Sequence, residues 1–165
     1  MANRKKPAKK AGGPYLAAAF FCESSIEDKQ DGALTAVRLI DQINVRIPHN
    51  APPNVPSDEH RLPVLVNGLL CFKTGDAGGG ERAVRLVMES PSGKKQLVAE
   101  QNLLFTPQAW GGGNLRFSVI VQLKKGGLFW LHVFVNGKRM ARMPLMIAVE
   151  REPAPADKPA SKNGQ

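Results

Sequence analysis

The apolar positions of this chain fall in short runs separated by glycine, proline and paired charges, and most runs alternate with a period of two. The clearest unit is Gly126–Val149. Leu128 to Val135 is a run of aromatic, aliphatic and β-branched residues interrupted only by His132. Asn136-Gly137 follows, and a second run closes on Met143-Pro144-Leu145-Met146-Ile147-Ala148-Val149. Asn-Gly supplies two residues that tolerate φ > 0, as a type I′ turn requires, and the twist of that turn matches two antiparallel strands. The spacing predicts a β-hairpin.

The same grammar recurs upstream. Tyr15–Cys22 is apolar at both parities and reads as a central strand buried on both faces. Thr35–Ile47 alternates, with Val37, Leu39, Ile43, Val45 and Ile47 on one face and Arg38, Gln42, Asn44 and Arg46 on the other. Asp41 alone is a charge on the apolar parity. Pro48–Arg61 is proline-rich, too long for a hairpin and suited to crossing between sheets. Leu62–Lys73, Arg82–Glu89, Gln96–Thr106 and Leu115–Leu123 are further strands, set off by turn-rich segments at Thr74–Gly80, Pro91-Ser92-Gly93, Pro107–Gly113 and Lys124–Gly127. No segment has convincing helical spacing.

About eight strands of this kind must stack as two sheets to bury their apolar stripes. The expected fold is therefore all-β: an antiparallel β-sandwich, immunoglobulin-like or related, over residues 14–149. Its core should include Leu39, Val45, Leu86, Phe117, Val119, Leu131 and Val133. Residues 1–13 and 150–165 read as disordered tails, the first basic and the second rich in Pro, Ala and Lys.

Several segments also carry a resemblance. Pro14-Tyr15-Leu16-Ala17-Ala18-Ala19-Phe20-Phe21-Cys22-Glu23, with Asp31-Gly32 and Ala36-Val37-Arg38-Leu39-Ile40-Asp41, is similar to the corresponding stretch of a family of small bacterial proteins known only as a domain of unknown function. The closing Gly127-Leu128-Phe129-Trp130, Val133, Asn136-Gly137 and Met143-Pro144-Leu145 resemble it too. The likeness covers about residues 14–149. It implies a bacterial origin and a compact β domain, and it brings no catalytic residue with it.

Composition adjusts this picture only in part. Of 165 residues 42% are hydrophobic, enough for a packed core and too many for wholesale disorder. The net charge of +9 is unevenly placed: residues 1–13 hold Arg4, Lys5, Lys6, Lys9 and Lys10 and no acid, and residues 14–149 hold 15 bases against 11 acids. Such a tail can bind nucleic acid or an anionic surface weakly and in a salt-dependent way; the plainer reading is a solvated end. The apolar stretch before Ala17-Ala18-Ala19 is too short for a signal peptide, and no run is long enough for a membrane span, so a cytoplasmic location is expected. Cys22 and Cys71 lie in apolar strands and read as free, small hydrophobes.

Candidate chemistry is sparse. His49 and His60 share a connection with Asp58 and Glu59 but lack tight ligand spacing, so no metal or cofactor is expected. His132, between Trp130 and Phe134 at the same parity, reads as a partly buried structural histidine. Asp41 reads as a bulge or a structural hydrogen-bond acceptor, in which case its replacement by Ala should cost about 1–3 kcal/mol. Gly111-Gly112-Gly113 after Trp110 lacks the helix and lysine of a phosphate loop and reads as a mobile loop. Ser24 and Ser25 have no nucleophile elbow, and neither cysteine has a nucleophile context.

What remains is binding. Trp110 in a glycine-rich loop is a large aromatic expected at the surface. Lys94, Lys95, Lys124, Lys125, Lys138 and Arg139 fall at turns or strand ends, where charges blunt sheet edges or form a rim for an anion. The residues point to a non-catalytic, cytoplasmic β-sandwich acting as an interaction or accessory module, with another protein as its partner. The alternative is a weak nucleic-acid or anionic-surface binder using the basic tail and the lysine pairs, a reading the sequence leaves without interleaved aromatics to stack bases.

Overall fold

The computed structural model describes residues 12–154. They form nine strands: β1 (Tyr15–Glu27), β2 (Leu34–Ile40), β3 (Gln42–Ile47), β4 (Leu62–Lys73), β5 (Gly80–Glu89), β6 (Lys95–Phe105), β7 (Gly112–Leu123), β8 (Gly127–Val135) and β9 (Lys138–Arg151). One sheet has the order β2-β1-β4-β7 and the other β3-β9-β8-β5-β6. The inward parities of β4, β5, β7, β8 and β9 interdigitate between them, with Val66, Leu70, Leu86, Leu123, Leu131, Val133, Leu145 and Ile147 fully buried. The sandwich expected from the alternation is therefore present, with nine strands rather than eight.

The Asn136-Gly137 hairpin forms as read: Val135 faces Lys138, and the two turn residues sit at φ 47° and 78°. Gly111-Gly112-Gly113, read as a mobile loop, is instead packed closely, with Gly112 and Gly113 already inside β7. A Cβ on Gly112 would lie 1.8 Å from the Phe72 carbonyl oxygen, because β7 pairs here with β4, and Gly111 is itself buried.

The reading of Thr35–Ile47 as one strand is corrected. The chain breaks at Asp41, with β2 on the edge of the four-stranded sheet and β3 on the edge of the five-stranded one. When a chain steps between facing sheets, the core changes sides relative to its backbone, so one parity cannot stay buried throughout. Ile40 packs on the core and Leu39 is 66% exposed, whereas in β3 Ile43, Val45 and Ile47 turn inward, Ile43 and Val45 only partly. Asp41 is exposed; its backbone carbonyl accepts the Met146 amide at 2.9 Å, and β3 then runs parallel to β9, so the second sheet is mixed. The corner makes the expected buried hydrogen bond of the Asp41 side chain unnecessary.

β1 lies inside its sheet, between β2 and β4, but its two faces are not both buried: Tyr15 is 49% exposed and Phe21 and Cys22 carry most of the burial. The Pro48–Arg61 connection does cross from one sheet to the other. Arg151, which the sequence placed in a tail, ends β9 and donates to the carbonyls of Pro48, His49, Ala51 and Pro52, fixing the start of that crossing. Arg4, Lys5, Lys6, Lys9 and Lys10 lie outside the described residues.

Candidate functional site

Three turns meet at one end of the sandwich. β5 returns to β6 through Ser90–Lys94, β7 crosses to β8 through Lys124–Gly126, and the connection from β3 to β4 passes at Ser57–Arg61. Between them lies a cleft of about 760 Å³. Its floor is apolar and comes from inward positions of the strands: Met88, Val98, Val121 and Phe129. Its rim carries Arg61, Lys94, Lys124 and Lys125 against the single carboxylate of Asp58, with Ser57, Ser90, Ser92, Gln96 and Gln122 as neutral hydrogen-bonding groups. Asp58 pairs with Lys124, and the Asp58 carbonyl accepts the Arg61 Nε–H at 3.3 Å. Lys94 and Lys125 take part in no salt bridge among the described residues.

The volume suits a small ligand or one or two side chains of a peptide. Burying a Leu- or Phe-sized group on such a floor is worth about 1.5–3 kcal/mol, while each exposed ion pair at the rim is worth about 0–1 kcal/mol. The floor would therefore supply affinity, and the rim would select an anionic occupant over a cationic one.

Of the lysine pairs, Lys124-Lys125 stays together on the cleft rim and Lys94-Lys95 is divided. Strand alternation sends Lys94 to the cleft and Lys95 to the opposite face of the sheet, where its Nζ lies 3.8 Å from Glu89. Lys138, Arg139 and Trp110 sit at the far end of the sandwich, where β8 turns into β9 and β6 into β7. Trp110 is 78% exposed, as its loop suggested, but it shares no site with Lys94, Lys124 and Lys125.

On the outer face of the five-stranded sheet lies an arrangement that the sequence did not show. His132 is buried, and its Nε2–H donates to Glu89 Oε2 at 2.7 Å. Arg142 approaches the other Glu89 oxygen at 3.5 Å and lays its guanidinium over the Trp130 ring, 3.7 Å from the centroid. The hydrogen bond from His132, with Arg142 and Lys95 nearby, holds the Glu89 carboxyl below the usual carboxylate range. The expected structural role of His132 has a physical partner in Glu89, 43 residues earlier in the chain. His49 and His60 are exposed in the crossing connection.

Both cysteines are free: Cys22 is buried and Cys71 partly so, and burial raises both thiols above their ordinary range. Among the described residues no helix is long and apolar enough to cross a membrane. No family model matches the chain, and no curated protein matches it. Solved structures with a partial likeness include β-glucosidase 3B from Thermotoga neapolitana (11% identity, 56% of this chain and 15% of that one, TM-score 0.42). A β-glucosidase from Listeria innocua (8%, 66% and 15%, 0.39) and the alkylpurine DNA glycosylase AlkC from Pseudomonas fluorescens (12%, 66% and 28%, 0.38) are similar to a comparable degree. The matched part of this chain spans between 15% and 28% of those three proteins.

Proposed function

We propose that this chain is a non-catalytic interaction module that receives an acidic segment of a partner protein in the cleft between the Ser90–Lys94 turn, the Lys124–Gly126 turn and Ser57–Arg61. The observation that carries the reading is the pairing of an apolar floor with four cationic side chains and one carboxylate around a single opening. An extended segment with one apolar anchor flanked by Asp or Glu satisfies both features. Two unpaired cysteines fit the reducing cytoplasm in which this reading sets the module.

The test uses fluorescent peptides in which one Phe or Leu is flanked by acidic residues, with charge-reversed peptides as controls. Acidic peptides bind the parent chain and bind Lys94→Glu/Lys125→Glu at least about tenfold more weakly, a loss of about 1.4 kcal/mol. Equal binding of acidic and basic peptides, or equal binding by the parent and the variant, refutes the proposal.

A further inference from the structure

Beyond Cys22 the only partner of strand β1 is β2. Its pairing with β4 runs from Tyr15 to Cys22, whereas Ser24–Glu27 pairs with Leu34–Val37 alone. The end of this hairpin is an arm, on which every residue from Ile26 to Ala33 is exposed. Two Asx turns shape its tip: Asp28 Oδ1 accepts the Gln30 amide and Asp31 Oδ1 the Ala33 amide, both at 2.8 Å. The tip is therefore a shaped element that its own chain leaves uncovered.

The charge of the tip is opposite to that of the cleft. Positions 27–31 hold Glu27, Asp28 and Asp31 against Lys29, in a chain of net charge +9. Lower on the arm Glu23 pairs with Arg38 at 3.0 Å, and Glu27 pairs with Arg116 at 2.8 Å. Asp28 and Asp31 take part in no salt bridge among the described residues. On the cleft rim Asp58 engages Lys124, while Lys94 and Lys125 have no such partner among the described residues. Ile26, 59% exposed, stands beside these acids as an apolar side chain of the size that the cleft floor takes.

We infer that the acidic segment received by the cleft is this arm, presented by a second copy of the chain, with Ile26 on the apolar floor and Asp28 and Asp31 against Lys94 and Lys125. The inference rests on the reading of the cleft given above and names its partner. The arm does not reach its own cleft. β1 and β2 lie at the opposite flank of their sheet from β7, and no residue of the arm lines the opening. Glu27 is held at Arg116, eight positions before Lys124, which is roughly 25 Å along the strand. Arm and cleft are different patches, so the contact is head-to-tail: it closes as a ring, or as a pair when two copies exchange arms, and otherwise propagates as a chain.

The experiment is sedimentation velocity on the full chain from micromolar to millimolar concentration, at low and at high salt. The parent should self-associate as its concentration rises, and more weakly in high salt. Asp28→Lys/Asp31→Lys in the arm and Lys94→Glu/Lys125→Glu in the cleft should each weaken self-association at least about tenfold. An equimolar mixture of these two variants should associate again, because the parental arm of one meets the parental cleft of the other. If the reversed arm fails to fold, Asp28→Asn/Asp31→Asn keeps both Asx acceptors, removes only the charge and should weaken association in the same direction. A monomeric parent at every concentration that still binds the acidic Phe peptide overturns this inference and leaves the reading of the cleft standing; a parent that neither self-associates nor binds the peptide overturns both. Self-association that either variant leaves unchanged, or that the mixture fails to restore, also overturns it.

Discussion

At Glu89 one carboxylate gathers a histidine from β8, an arginine from β9 and a lysine from β6. Because its folded pKa lies below the ordinary carboxylate value, it stabilises the fold above about pH 4.3, and that stabilisation is lost as pH falls through the folded value. Glu89→Gln should thus lower the melting temperature at neutral pH, with the gap to the parent closing as the pH falls below the ordinary carboxylate range; thermal melts from neutral into acid pH check this. A gap that stays constant or widens in acid would contradict the assignment. Asp41 makes the opposite point. Its side chain is exposed and only its carbonyl is engaged, so Asp41→Ala should change stability by no more than about 0.5 kcal/mol in urea unfolding. The parity that marked Asp41 as odd was a real signal, but of a corner between sheets and not of a buried acceptor. Glu89 gave no local signal at all, since its partners are distant in sequence and ordinary in type.

Elements were far easier to read than single residues. Alternation placed β4 to β9 within a few residues, and Asn136-Gly137 named its own turn, because both depend only on neighbours in the chain. Face assignment failed where the chain leaves one sheet for the other, which is why Leu39 emerged exposed while Leu86, Phe117, Val119, Leu131 and Val133 are buried. Two substitutions test the elements. Gly112→Ala would drive a Cβ against the Phe72 carbonyl, backbone against backbone, and should cost at least about 2–3 kcal/mol or prevent folding. Arg151→Ala removes the donor that gathers four carbonyls of the crossing connection and should cost about 1–2 kcal/mol. Arg151→Lys should recover only part of it, since an ammonium lacks the planar fork. Chemical denaturation measures both, and a neutral Gly112→Ala would contradict the close β4–β7 approach.

For the molecule as a whole, the lysines of the turns were legible and their grouping was not. Lys94, Lys124 and Lys125 converge because three connections end at the same pole of the sandwich, whereas Trp110, Lys138 and Arg139 are carried to the other pole by the direction of their strands. Segments some thirty residues apart become neighbours only through sheet order, which composition and periodicity leave open. The apolar floor was hidden for the same reason: Met88 and Phe129 are buried with the core, yet they also face the opening. The central claim is that this opening receives an acidic segment anchored by an apolar side chain. Backbone amide shift mapping of the labelled full chain, titrated with a peptide of one Phe flanked by aspartates, tests it most directly. The account predicts saturable shifts centred on Ser90–Lys94, Lys124–Gly126 and Ser57–Arg61, absent in Lys94→Glu/Lys125→Glu; shifts confined to the Trp110 end, or none at millimolar peptide, would contradict it.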